Sequence, residues 1–132
     1  MSWDVHFMRW PEGVTNLEEM TEEFVPDPLG PAHEVIAKLT ARLPKLDFSD
    51  RAWGVLEGPG FSIEFNLGAA PIADSLMLHV RGGPAAFGAV REVSEALGVP
   101  ALDLSTGECI DFSAADASRG FDAWRTYLGS QR

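Results

Sequence analysis

The side chains able to do acid–base or ligand chemistry fall at alternate positions of three β-like segments. Ser2 to Trp10 carries Asp4, His6, Met8 and Trp10 on one period-2 face, with Trp3, Val5 and Phe7 on the other. Phe61 to Leu67 alternates Phe61, Ile63, Phe65 and Leu67 with Ser62, Glu64 and Asn66. Ser75 to Arg81 sets Leu76, Leu78 and Val80 against Ser75, Met77, His79 and Arg81. If the apolar faces of these strands share one core, the alternate faces must point away together. That second face would gather His6, Trp10, Glu64, Asn66, Met77, His79 and Arg81.

Several uses of such a face are open. His6, His79, Glu64 and Asp4 offer nitrogen and oxygen donors to a metal, but none lies at a ligand spacing such as His-Glu-x-x-His. No metal or other cofactor is therefore expected. His79 and Glu64 could exchange protons with a substrate held by Arg81, which makes these three the catalytic candidates. No activated nucleophile or G-x-S-x-G elbow accompanies them. Trp10, Met77 and Arg81 are residue types that anchor protein interfaces. The plainest use is a half-solvated sheet face with cross-strand polar pairs. Elsewhere, Gly82-Gly83-Pro84 heads a helix and could receive an anion, yet it lacks the dinucleotide and P-loop patterns. Cys109 has no neighbouring His and no second cysteine, so it reads as a small core residue.

The elements that position these residues follow from periodicity and punctuation. The first strand stops at Pro11, and Thr15 with Glu18 forms a capping-box pattern for a short helix burying Leu17, Met20 and Phe24. A helix starts at Pro31, as its N1 residue, and ends by Pro44, with Val35, Ile36, Leu39 and Leu43 as its apolar stripe. Trp53 to Glu57 and Phe61 to Leu67 make a hairpin around Gly58-Pro59-Gly60. A second helix carries Phe87, Val90, Val93 and Leu97, an Arg91/Glu95 surface pair, and Gly98 at its C′ position. A short hairpin around Ser105-Thr106-Gly107 follows, then a last helix with Phe121, Trp124 and Leu128. The order β-α-β-β-β-α-β-β-α predicts an α+β fold with an antiparallel or mixed sheet and both main helices on one face. A ferredoxin-like split β-α-β variant, extended by the C-terminal hairpin and short helix, is the simplest such topology. No repeat or linker divides residues 1–132, so one domain is expected.

Charge narrows the partners. The net charge of −10 disfavours nucleic acid and anionic membrane surfaces. Glu12, Glu18, Glu19, Glu22, Glu23 and Asp27 lie between Pro11 and Pro31 without a Lys or Arg. Asp103, Glu108, Asp111 and Asp116 form a second unopposed run. Such runs serve as solvated surface or as a docking face for a basic partner, with Glu18, Glu19, Glu22 and Glu23 foremost. There is no apolar stretch near the ~20 residues that span a bilayer and no signal-peptide pattern. The single cysteine fits a reducing, cytoplasmic setting.

Three stretches carry a resemblance. Trp53-Gly54-Val55, Phe61-Ser62-Ile63-Glu64-Phe65-Asn66-Leu67-Gly68 and Leu76-Met77-Leu78-His79-Val80-Arg81-Gly82-Gly83 are similar to segments of small uncharacterised bacterial single-domain proteins. Leu102-Asp103-Leu104-Ser105-Thr106-Gly107-Glu108 resembles the corresponding part of immunity proteins of polymorphic-toxin systems, where an aspartate and a Thr-Gly turn follow the last major helix. The resemblance spans roughly residues 1–112 and implies an antitoxin-like, protein-binding role against a toxin domain, with no catalytic residue to carry over. The expected function is thus a non-enzymatic binding module. The alternatives are a small enzyme or ligand-binding domain on the polar sheet face and a homo-oligomeric structural module; the oligomeric state stays open.

Overall fold

Nine short strands and three helices organise the chain in a computed structural model that describes residues 2–21 and 23–130, with side chains through Tyr127. Glu22 and the side chain of Leu128 lie outside the described residues. The strands are β1 (Trp3–Phe7), β2 (Gly30–Pro31), β3 (Asp47–Asp50), β4 (Trp53–Gly58), β5 (Phe61–Asn66), β6 (Ile72–Ala73), β7 (Leu76–Gly82), β8 (Ala101–Asp103) and β9 (Glu108–Cys109). The helices are α1 (Ala32–Arg42), α2 (Ala85–Leu97) and α3 (Arg119–Ser130). Seven strands form one sheet in the order β3-β4-β5-β7-β1-β8-β9, antiparallel at each pairing, while β2 and β6 make a separate two-stranded ribbon.

The alternation read from the sequence is what the sheet uses. Trp3, Val5, Phe7, Ile63, Phe65, Leu76, Leu78 and Val80 join one buried cluster with Val35 and Leu39 of α1, Ala86, Val90 and Val93 of α2, and Phe121 of α3. Burying side chains of this size contributes about 1.5–3 kcal/mol each relative to exposure. Phe121 stacks on Trp3 with ring centroids 4.7 Å apart, which anchors α3 to the start of β1. Arg42 of α1 reaches Glu95 at 2.6 Å and Glu92 at 2.8 Å on α2. The expected Arg91–Glu95 pair forms at 3.1 Å.

Several local expectations are corrected. β1 ends at Phe7, because its pairing with β7 and β8 stops there, so Met8 and Trp10 lie beyond the strand. The cap of the short 3-10 turn Leu17–Glu19 is Asn16, not Thr15: its side chain accepts the Glu19 amide at 3.0 Å. Glu19, not Glu18, closes the box, accepting from Thr15 and Asn16. Leu17 is 46 % exposed rather than buried, since the turn lies on the sheet edge and not over the core. Pro31 is the N-cap of α1 rather than its first helical residue, as β2 holds its backbone extended. The strands β2, β3 and β6 add to the expected order; β3 is an irregular edge strand studded with Asp47 and Asp50, a composition that discourages further pairing.

Candidate functional site

The register brings the polar residues of three strands into rows. Asp4 pairs with His79, and His79 with Glu64, so the three share one row across β1, β7 and β5. His6 pairs with Met77 and Met77 with Asn66, forming the next row. The convergence that a ligand or acid–base reading requires is therefore present. Its groups are already engaged with each other, however. His79 Nδ1 sits 2.9 Å from Asp4 Oδ1, and the imidazole stacks on Trp53 with centroids 5.8 Å apart. Glu64 forms an ion pair with Arg81 instead of facing His79 as its acid–base partner. Arg81 thus has a carboxylate where an anionic substrate would bind. Among the described residues, no group of three or more His, Cys, Asp or Glu is placed to hold a metal ion.

His6 makes no hydrogen bond to another described side chain, and burial pushes its pKa below the usual histidine value. Part of that burial has a structural origin that alternation alone does not convey. Leu102, the register partner of His6 on β8, is 2 % exposed yet lies outside the main core cluster. The face opposite the core is therefore closed at Leu102 on β8, while the side chains of Asp4 on β1 and Glu64 on β5 stay 38 % and 33 % exposed. Trp10 stands beyond this row with its indole Nε1 buried and without a described acceptor.

The outer edge of the sheet joins two segments that are far apart in sequence. The Cys109 amide donates to the Thr15 carbonyl at 2.8 Å, the Leu17 amide donates to the Gly107 carbonyl at 2.9 Å, and Asn16 bridges Glu108. Gly107 makes this possible: at φ 74° it turns the β8–β9 connection back in a conformation other residues resist. The acidic stretch around Glu18 and Glu19 is thereby fastened beside Glu108, with Asp111 and Asp116 following in the chain. Glu12, Glu18, Glu19, Glu23, Asp27, Glu108, Asp111 and Asp116 are all exposed. The Ser113 hydroxyl and amide hold the Asp111 carboxyl below the usual carboxylate range. Two acidic runs become one edge with an excess of carboxylates, although the second run is not unopposed: Arg119 pairs with Glu108 at 3.1 Å and Asp116 at 3.6 Å.

A cleft of about 630 Å3 opens beside β9, between it and the segment leading into α3. Its lining includes Asp103, Glu108, Asp111, Asp116, Arg119 and Gly120, and none of His6, Glu64, His79 or Arg81. Asp103 is only 3 % exposed. Its Oδ1 accepts from Trp3 Nε1 at 2.9 Å, the Ser105 amide at 2.8 Å and the Ser105 hydroxyl at 2.6 Å. Sequence reasoning placed Asp103 in an acidic surface run. The signal against that was available: Asp103 shares a strand face with the apolar Ala101, and Ser105 two residues on offers an Asx-type turn. Cys109 also lines the cleft, and desolvation lifts its thiol pKa to about 11. The Gly83 amide, one of the anion-binding donors considered, already donates to the Gly60 carbonyl at 2.8 Å.

No family model, curated protein or solved structure matches the chain. No helix among the described residues is long and apolar enough to cross a membrane.

Proposed function

We propose that the protein is a cytoplasmic, non-enzymatic binding module that docks on a basic protein through its acidic edge, as an immunity protein docks on a toxin domain. The observation that carries this reading is the pairing of Thr15–Leu17 with Gly107–Cys109, which fuses two acidic runs into one exposed surface. A surface with a strong excess of one sign steers an oppositely charged partner into encounter and raises association rates well above the ~10⁵–10⁶ M⁻¹s⁻¹ of uncharged pairs. If the partner acts on nucleic acid, the same edge would stand in for phosphates and cover its substrate path. The engaged state of Glu64, Arg81, Asp4 and His79 supports binding over chemistry at the polar sheet face.

The reading includes a fold proposal. The strands β8-β1-β7-β5 make a split β-α-β, ferredoxin-like core, with α1 in the β1-to-β5 connection and α2 between β7 and β8 on one shared face. β3, β4, β9 and α3 are then additions, and the binding edge is built on two of them together with the Pro11–Pro31 connection.

Co-expression with a cognate basic toxin domain tests the reading. Protection of the cells and a complex that weakens with salt are expected. A Glu18→Gln, Glu19→Gln, Glu23→Gln, Glu108→Gln variant should associate about ten-fold more slowly or worse. Absence of both protection and a complex at low salt would overturn it. A homo-oligomeric role predicts instead a dimer in light scattering, and an enzymatic one predicts a turnover lost with His79→Gln.

A further inference from the structure

The carboxylate on the floor of the β9 cleft is only half engaged. Asp103 Oδ1 has three donors, whereas Oδ2 receives no hydrogen bond from any described residue and no cationic side chain pairs with it. Oδ2 lies against Gly120 in the first turn of α3, so closely that a Cβ there would sit 2.0 Å away. Oδ2 is not among the fully buried atoms without a partner, so its acceptor positions open to the cleft and call for a donor from whatever enters it.

The surroundings sharpen that demand. Four carboxylates line the cleft against one guanidinium. That guanidinium, Arg119, is drawn to the rim by Glu108 at 3.1 Å and Asp116 at 3.6 Å, and its side chain is 67 % exposed. It leaves the floor uncompensated. A bare metal ion is a poor fit, since no three ligating side chains among the described residues converge. A cationic head on an aliphatic stem fits better: Ile110, Ala114 and Ala117 supply apolar wall for methylenes, and the volume matches that of a small-ligand site.

We infer that the cleft receives one arginine or lysine side chain of the basic partner, whose head group bonds Asp103 Oδ2 while its stem lies along Ala114 and Ala117. Such a buried, charge-completing anchor is the kind of contact that dominates an interface, whereas the exposed edge sets the association rate. The inference rests on the proposed basic partner, but its test does not need that partner.

Agmatine and butylamine stand in for the two side chains. Trp3 offers a direct reporter, because its indole N–H donates to the same carboxylate. In 15N–1H spectra, titration should shift the Trp3 indole and Gly120 amide signals along a saturable curve. Tetramethylammonium chloride at equal ionic strength should not reproduce it. Asp103→Asn, which keeps an oxygen acceptor for Trp3 and Ser105, should weaken binding ten-fold or more. Ala117→Leu, which fills the cleft without touching Asp103, should do the same and carries the test alone if Asp103→Asn does not fold. The Glu12→Gln, Glu18→Gln, Glu23→Gln variant, which touches no residue of the cleft, should bind agmatine within two-fold of the parent. Shifts that stay linear, or that tetramethylammonium reproduces, would overturn the inference. If agmatine saturates the cleft while no basic partner binds, the docking proposal fails and the cleft stands.

Discussion

Replacing Gly120 by alanine should destabilise the protein, although the same change inside an exposed helix ordinarily stabilises. An added Cβ would lie 2.0 Å from Asp103 Oδ2, 3.2 Å from its Cγ and 3.4 Å from Thr106 Cγ2. No pair of heavy atoms tolerates the first contact, so either α3 or the carboxylate must move. The carboxylate is held by the Trp3 indole and by the Ser105 amide and hydroxyl. Losing two such charge-assisted bonds at the lower end of their range costs about 3 kcal/mol. Moving α3 instead would loosen Phe121 from Trp3, a loss of similar size. Alanine returns about 1 kcal/mol of helix propensity, leaving a net destabilisation of about 2 kcal/mol. For a chain of this length that is roughly a 6–8 °C fall in Tm. Gly88 provides the control: it is an α2 residue with nothing within 4 Å of an added Cβ, so Gly88→Ala should gain about 0.5–1 kcal/mol. Urea titrations and thermal melts of the three proteins decide the matter. A Gly120→Ala protein as stable as the parent, or more so, would refute the packing of α3 against Asp103.

Two further predictions concern titration and reactivity. Burial lowers the pKa of His6 in the folded chain, so the unfolded chain binds more protons between the folded value and ~6.5. The stability this neutral imidazole contributes is complete above pH ~6.5 and is lost as pH falls toward the folded pKa. Urea titrations from pH 7.5 to 5.5 should show a steeper loss for the parent than for His6→Gln; parallel curves would count against a desolvated His6. The Cys109 thiol, raised to about 11, should react with iodoacetamide at pH 8 far more slowly than free cysteine and should speed up in urea. Rapid labelling of the native protein would contradict that environment.

Local pattern and tertiary register were unequally legible in the sequence. Alternation in Phe61 to Leu67 and Leu76 to Arg81 identified which residues enter the core, because period 2 maps directly onto the two faces of a strand. The apolar stripes of α1 and α2 were legible for the same reason at period 3.6. Which polar residues meet was not, since Asp4, His79 and Glu64 fall into one row only once strand order and register are known. The seam between Thr15–Leu17 and Gly107–Cys109 depends on a chain reversal at Gly107 and on hydrogen bonds between backbones, which leave almost no trace in side-chain identity. Asp103 shows the limit most clearly. Its charge marked it as surface, while its decisive partner, the Trp3 indole, lies 100 positions away.

If the acidic edge governs encounter with a basic partner, that encounter must weaken as salt screens the edge. Stopped-flow association with a cognate basic toxin domain, at ionic strengths from about 0.02 to 0.5 M, reads that response, because the Debye length shrinks from ~20 Å to a few Å over that range. The association rate of the parent should fall by ten-fold or more. The Glu18→Gln, Glu19→Gln, Glu23→Gln, Glu108→Gln variant should start lower and respond far less to salt. Rates that are equal for the two proteins, with the same salt slope, would rule out steering by the acidic edge.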